Sequence, residues 1–184
     1  MHQITLIRKT LQPHLPDWHG ARITFLALFL VALFRVKTVD LSQLATGFMG
    51  NAKTESNYKR LQRFFTGFEL NYFSVSKLVV NLMQIPQPWV LSVDRTSWEF
   101  GNCCHNILTL GIVHNGIALP LFWWMLGKKG NSNTDERIDL LGEFFCVFPS
   151  AKVAYLTADR EFLGKEWFEY LIDHANLRFA SDSP

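Results

Sequence analysis

Two hydrophobic patterns divide this chain. Over residues 1–85, apolar residues fall in blocks and at intervals of three and four, the spacing of helices. After residue 86 they come in short runs between turn residues, which favours buried strands. The prolines of Pro86-Gln87-Pro88 separate the two patterns, because a helix does not continue through them. We therefore predict a helical domain over residues 1–85 and a second domain over residues 86–184.

The first domain contains the outline of a helix-turn-helix. Asp40 is a good N-cap for a short helix that begins at Leu41 and runs into Gly47. Residues 55–65 follow as a second helix, with an apolar face predicted from Tyr58, Leu61 and Phe65. Its opposite face is basic, and such a face contacts DNA in helix-turn-helix proteins or is simply a solvated surface. The candidate DNA contacts are Lys53, Lys59, Arg60 and Arg63.

The second domain has the element order of a ribonuclease H-like fold. A strand over 89–93 precedes a hairpin, whose turn is predicted at Asn115-Gly116 because both residues accept positive φ. A helix at 134–148, a strand at 152–158, a helix at 164–175 and a strand that starts at 177–180 follow. Three antiparallel strands and then alternating helices and strands predict a mixed sheet. The fold class is therefore α+β overall, with an N-terminal all-helical domain and a ribonuclease H-like α/β domain.

Two aspartates follow the strands that this fold makes neighbours. Asp94 ends the run Leu91–Val93, and Asp159 ends the run Val153–Ala158. Side by side, two carboxylates repel unless a cation lies between them, and carboxylates with water favour Mg²⁺ or Mn²⁺. Such ions support phosphoryl transfer on nucleic acid. The plain alternative is that both residues are strand-end caps or pair with Arg95 and Arg160.

These residues resemble a known family. Asp94-Arg95-Thr96 and Asp159-Arg160-Glu161-Phe162, with residues 129–137 between them, look like insertion-sequence transposases of the DDE class, of the insertion-sequence-4 kind. Residues 41–65 resemble the helical DNA-binding region that precedes the catalytic domain of such enzymes. The resemblance implies DNA transposition at insertion-sequence ends, with Asp94 and Asp159 as the first two of three catalytic, metal-binding acids.

The third acid of that family is not found in this sequence. It is a glutamate within a Tyr-x2-Arg-x3-Glu-x6-Lys pattern downstream, whereas this chain reaches Ser181-Asp182-Ser183-Pro184 soon after Asp159. Glu161 lies two residues past Asp159 and could face the same rim of the sheet, and Glu166 belongs to a helix that leads away, but neither completes the set of three acids. We therefore expect a truncated copy whose ribonuclease H-like domain is incomplete and which is catalytically inactive alone.

Composition adds few constraints. A hydrophobic share of 48% supports a packed core, and a net charge of +2 confines any DNA-binding surface to a local patch. The longest apolar stretch, Phe25–Phe34, is too short to span a membrane, and three cysteines without a pairing pattern indicate a reducing, cytoplasmic setting. Cys103-Cys104-His105 lacks a second ligand pair for zinc.

Other functions stay open on these residues. Lys128 and Lys129 are candidate phosphate contacts in a loop near the sheet, or part of a solvated turn. Trp123-Trp124 favours packing over base stacking. The chain could be a non-enzymatic DNA-binding or transposition-regulating protein, acting as a homodimer or with full-length transposase, or a metal nuclease with another third ligand.

Overall fold

The computed structural model describes residues 2–101 and 103–181, without the side chains of Phe100 and Ser181. The predicted α+β class is confirmed: helices come first, and a five-stranded mixed sheet follows. The chain forms two compact units, unit 1 over residues 1–78 and unit 2 over residues 79–184. This division lies within a helix, upstream of the boundary that the prolines predict.

Helices make up unit 1, and the last of them crosses into unit 2. Their bounds are α1 His2–Leu11, α2 Gly20–Val36, α3 Leu41–Gly47, α4 Thr54–Gly67 and α5 Tyr72–Met83. Unit 2 adds β1 Trp89–Phe100, β2 Cys103–His114, β3 Ile117–Leu126, α6 Thr134–Val147, β4 Val153–Ala158, α7 Lys165–Asp173 and β5 Phe179–Ser181. Single 3-10 turns occur at Gln12–His14 and Arg160–Phe162. Among the described residues no helix is long and apolar enough to cross a membrane.

Local signals set the ends of α3. The Asp40 carboxylate accepts the amide hydrogen of Gln43 at 2.9 Å, as its N-cap position predicts. The helix ends at Gly47, where a Cβ would lie 3.2 Å from the backbone of Ala32 on α2. A larger residue would push α3 away from α2, so the glycine permits their close packing.

The strand order of the sheet is β3-β2-β1-β4-β5. The first three strands are antiparallel neighbours, and β4 and β5 run parallel to β1. This is the mixed, ribonuclease H-like arrangement that the element order predicts. Asn115 and Gly116 both have positive φ, at 52° and 76°, in the predicted hairpin turn between β2 and β3.

The core of unit 2 lies on one face of the sheet. Leu91 and Val93 of β1, with Leu156 of β4, are buried there against α6 and α7, which contribute Phe144 and Trp167. Side chains alternate between the two faces of a strand. Ser92 and Thr157, which are paired across β1 and β4, therefore lie on the opposite face.

One strand boundary predicted from the sequence is wrong. The first strand does not end at Asp94 but continues to Phe100. The reason is its pairing with β2, which extends from Val90↔Val113 to Phe100↔Cys103. Asp94 therefore lies within an antiparallel ladder and at the end of a parallel one. The strand expected to start at 177–180 is β5, and residues 182–184, which follow it, lie outside the described residues.

Candidate metal centre and its supporting network

Asp94 and Asp159 occupy equivalent positions on neighbouring parallel strands. The last paired residues of β1 and β4 are Val93 and Ala158, and each aspartate comes one residue later. The alternation of β1 puts Asp94 on the face of Ser92, opposite the core, and Asp159 comes two residues after Thr157, the partner of Ser92 on β4. Adjacent strands lie about 4.8 Å apart, so the two residues are neighbours, as the fold predicts.

Each carboxylate has the same local hydrogen bond. Asp94 Oδ1 accepts the amide hydrogen of Arg95 at 2.7 Å, and Asp159 Oδ1 accepts that of Arg160 at 2.6 Å. Asp159 is also the N-cap of the 3-10 turn that begins at Arg160. Part of the capping alternative is therefore correct. Because both residues are exposed and each hydrogen bond uses one oxygen, these bonds leave each second oxygen to a cation.

An open groove of about 410 Å³ includes Asp94 in its lining. It follows the outer face of the antiparallel strands, with Trp98 and Trp123 among its walls; these side chains are 55% and 39% exposed. Trp124 faces the other way, is half-buried, and donates a hydrogen bond of 3.2 Å to Glu143 of α6. Trp124 thus packs against the core, whereas its neighbour Trp123 lines the groove.

Arg95 does not pair with the carboxylate beside it. Its guanidinium donates to both oxygens of Glu161, from Nε at 2.8 Å and from Nη2 at 2.7 Å. The hydrogen bonds to Glu161 raise the pKa of Arg95 above its ordinary value. The other three N–H groups donate to Ser97, Asn106 and Asn131. Glu161, which the sequence leaves as a weak candidate for the third acid, is therefore engaged in an ion pair.

A second arginine holds the turn after Asp159. Arg137, in the first turn of α6, is only 6% exposed, and burial lowers the pKa of its guanidinium. It donates to Ser132 Oγ at 2.9 Å and to the Ser132 carbonyl at 2.6 Å. Longer bonds of 3.4 Å reach the carbonyls of Glu161 and Phe162, and the guanidinium lies 4.8 Å from the centre of the Phe162 ring. Arg137 belongs to the stretch 129–137 quoted for the family resemblance, but its sequence context does not predict this supporting role.

The loop over residues 127–133 is fixed at several points. The buried side chain of Asn106 donates to the carbonyls of Lys128 and Gly130, and Asn133 forms a capping box with Glu136 at the start of α6. The helix predicted to begin at residue 134 therefore has its cap at Asn133. Lys128 forms an ion pair of 2.9 Å with Glu136, whereas the neighbouring Lys129 is exposed.

The predicted basic face of α4 differs from the observed one. Lys53 and Arg63 are exposed, and Lys59 is exposed in a 3.1 Å ion pair with Glu55. Arg60 is half-buried instead, with its guanidinium 5.4 Å from the centre of the Phe25 ring. The apolar face is rotated accordingly: Leu61 is buried, whereas Phe65, predicted inside, is 48% exposed.

The chemistry of the donors fits one hard cation. Two carboxylates with water suit Mg²⁺ or Mn²⁺, which often bind through one or two carboxylates and keep several waters. Over residues 2–101 and 103–181, no group of three or more His, Cys, Asp or Glu side chains could hold a metal ion. Glu166 lies in the first turn of α7. The described residues thus supply two acids at this place.

Comparisons with known proteins add a distant structural likeness. No protein-family model and no curated protein matches the chain. A cryoEM structure of the simian T-cell lymphotropic virus intasome in complex with PP2A regulatory subunit B56 gamma matches at 12% identity and a TM-score of 0.38. The match covers 66% of this chain and 46% of that one, so the chain spans less than half of the matched protein. At this level it carries no conclusion about fold or function.

Proposed function

We propose that this chain is a DNA-binding protein of the transposase type, whose sheet unit binds one Mg²⁺ or Mn²⁺ ion between Asp94 and Asp159. The observation that carries the proposal is the register of β1 and β4, since both aspartates follow the last paired residues Val93 and Ala158. The resemblance of the Asp-Arg-Thr and Asp-Arg-Glu-Phe segments to insertion-sequence transposases supports the same proposal.

Each residue of the proposed site has its own role. Asp94 and Asp159 would hold the cation through the oxygens directed away from their own backbone bonds. A bound cation supplies charge stabilisation for a phosphodiester and activation of a water or hydroxyl oxygen. Exposed Lys129, in the loop fixed by Asn106, is placed to contact a phosphate of the same nucleic acid.

We expect metal binding without strand cleavage by this chain. Transposases of this class use three acids, and the described residues offer two at this place, with Glu161 held by Arg95. Incubating a transposon-end duplex with the 184-residue chain and Mg²⁺ or Mn²⁺ tests this expectation. Cleavage that Asp94→Ala abolishes would contradict it.

Calorimetric titration with Mn²⁺ tests the metal site. Wild type should bind about one equivalent, and Asp94→Asn or Asp159→Asn should abolish the measurable heat, because each removes one of two charged ligands. Asp139→Asn, an exposed aspartate on α6, is the matched control and should bind as wild type does. Identical heats in wild type and Asp159→Asn would refute the site.

A second function, DNA binding by unit 1 without a metal site, is favoured by the exposed cations of that unit. Lys53 and Arg63 lie near and within α4, the second helix of the predicted helix-turn-helix. Gel shifts with a transposon-end duplex across a salt series test it, since each phosphate contact contributes about 0.9 to the logarithmic slope. Arg63→Ala should reduce the slope by about one, and Lys77→Ala on α5 is the control. A slope near zero in wild type would exclude this function.

A further inference from the structure

The hydrogen bonds of the sheet do not fix the separation of the two carboxylates. The paired ladder between β1 and β4 ends at Val93 and Ala158. Beyond that level β1 continues beside β2, but the other chain turns away into the 3-10 turn Arg160–Phe162. Contacts between side chains can therefore add to what the ladder fixes, by holding the segment after Asp159 next to β1.

An ion pair bridges the two segments directly beyond the ladder. Arg95 is one residue past Asp94, and Glu161 is two residues past Asp159. Their side chains meet through two parallel hydrogen bonds of 2.8 and 2.7 Å, the bidentate form that gives an arginine–carboxylate pair a fixed geometry. With 16% and 22% of their side-chain surface exposed, the two groups are shielded from most of the solvent screening that weakens surface pairs.

The arginine is itself held in one orientation. All five guanidinium N–H groups have acceptors, three of them outside the ion pair. Ser97 accepts at 2.9 Å, Asn106 at 3.2 Å and Asn131 at 3.3 Å. Since Asn106 is buried in β2, the ion pair ties the turn after Asp159 to the body of the sheet.

We propose that the Arg95–Glu161 ion pair is a positioning clamp, which sets the separation of the Asp94 and Asp159 carboxylates and thereby the affinity for the cation. This inference rests on the proposed function. Both residues act through the two aspartates and not on the metal, because both Glu161 oxygens are occupied by Arg95.

The test must separate geometry from charge. Removing Glu161 alone would leave an extra positive charge that repels a cation, and removing Arg95 alone would leave a negative one that attracts it. The double variant Arg95→Gln/Glu161→Gln removes the clamp without changing the net charge. Arg95→Lys also preserves charge but cannot form the bidentate pair.

Mn²⁺ titration of these variants gives the first readout. We expect both the double variant and Arg95→Lys to bind Mn²⁺ about tenfold more weakly than wild type, the lower end of the range for residues that orient metal ligands. The matched control is Glu143→Gln, the same chemical change at a half-buried glutamate that accepts from Trp124. It should leave the Mn²⁺ affinity unchanged.

Hydrogen exchange of the metal-free proteins gives a second, independent readout. The amides of residues 160–163 should exchange faster in both clamp variants than in wild type or Glu143→Gln. If Arg95→Lys binds Mn²⁺ and exchanges the amides of residues 160–163 as wild type does, the clamp is overturned. If the double variant does not fold, the result for Arg95→Lys decides the test. Tighter binding in Arg95→Lys would also overturn it, because it would identify Glu161 as a ligand. Absence of Mn²⁺ binding in wild type would overturn the proposed function, and the clamp with it.

Discussion

The side-chain amide of Asn106 donates a hydrogen bond of 2.7 Å to the carbonyl oxygen of Gly130. A second bond of 3.1 Å reaches the carbonyl of Lys128, and the Asn106 oxygen accepts from Arg95. One buried residue on β2 therefore supports both the loop at 127–133 and the arginine beside Asp94.

Replacing this residue should destabilise unit 2. Asn106→Ala leaves two carbonyls and one guanidinium N–H without their partner, at about 1 kcal/mol each, so we expect a loss of about 2–3 kcal/mol in the free energy of unfolding. Urea denaturation followed by circular dichroism measures this loss. Ser97→Ala removes one exposed bond to the same arginine and should cost less than about 1 kcal/mol. Equal losses in both variants would contradict the central role of Asn106.

Replacement of Arg137 by lysine should destabilise unit 2. The buried guanidinium serves the Ser132 hydroxyl and carbonyl and two carbonyls after Asp159, which a single ammonium group cannot reach together. Arg137→Lys should lower the free energy of unfolding by about 2–3 kcal/mol. Arg178→Lys, at an exposed position, is the control and should change it by less than about 0.5 kcal/mol. Thermal unfolding of the two variants should therefore give clearly different midpoints.

Gly111 on β2 is required because the backbone of β3 approaches it closely. A Cβ at this position would lie 2.6 Å from the Leu119 carbonyl oxygen and 3.0 Å from its carbon, so backbone must move. We expect Gly111→Ala to lower the free energy of unfolding by about 1–3 kcal/mol, the usual range for overpacking. Gly142→Ala on α6 is the matched control, because a Cβ there meets nothing within 4 Å. This change should raise the free energy of unfolding by about 0.5–1 kcal/mol, since alanine favours a helix interior over glycine. A neutral Gly111→Ala would refute the close approach.

The cap of α3 should make the stability of unit 1 depend on pH. The hydrogen bond from the Ser42 hydroxyl, and then that from the Gln43 amide, lower the pKa of Asp40 below its ordinary value. Because the pKa is depressed in the folded state, the stabilisation is present above the unfolded value of about 3.9 and is lost as pH falls through the folded one. The thermal unfolding midpoint of wild type should therefore exceed that of Asp40→Ala near neutral pH, and this difference should become smaller as the pH is lowered into the acid range.

Carbon-detected NMR titration of the Asp40 carboxyl group checks the cause of this shift. In Ser42→Ala the pKa of Asp40 should rise towards its ordinary value, since the largest stabilising hydrogen bond of the carboxylate is removed. An unchanged pKa in that variant would show that Ser42 does not contribute.

Local signals in the sequence predict much of the fold. Asn115-Gly116 predicts the hairpin because the turn needs two positive φ angles, and Asp40 predicts the start of α3 because its carboxylate can reach the Gln43 amide. Together with the strand order, these signals also predict that Asp94 and Asp159 are neighbours. The predicted DNA contacts and the cation remain predictions.

The supporting network could not be predicted in the same way. Arg95 and Glu161 pair across two segments far apart in sequence, and adjacency to Asp94 and Asp159 suggests local pairs instead. Sequence spacing predicts that Arg60 shares the outer face of α4 with Arg63. Its guanidinium instead lies over the ring of Phe25, because α4 packs against α2 through a core cluster that includes Leu61 and Phe25. Only the three-dimensional structure specifies such contacts.

The parallel pairing of β1 with β4 also has a kinetic consequence. Strands β1 to β3 are consecutive, so they can associate through short loops, whereas β4 reaches β1 only after α6 has formed its crossover. We therefore expect Asp94 and Asp159 to come together in a late step of folding. A cation bound by both should slow unfolding while the refolding rate stays the same. Stopped-flow refolding and unfolding with and without Mn²⁺ would reveal this asymmetry, and faster refolding with Mn²⁺ would show that the two aspartates meet early.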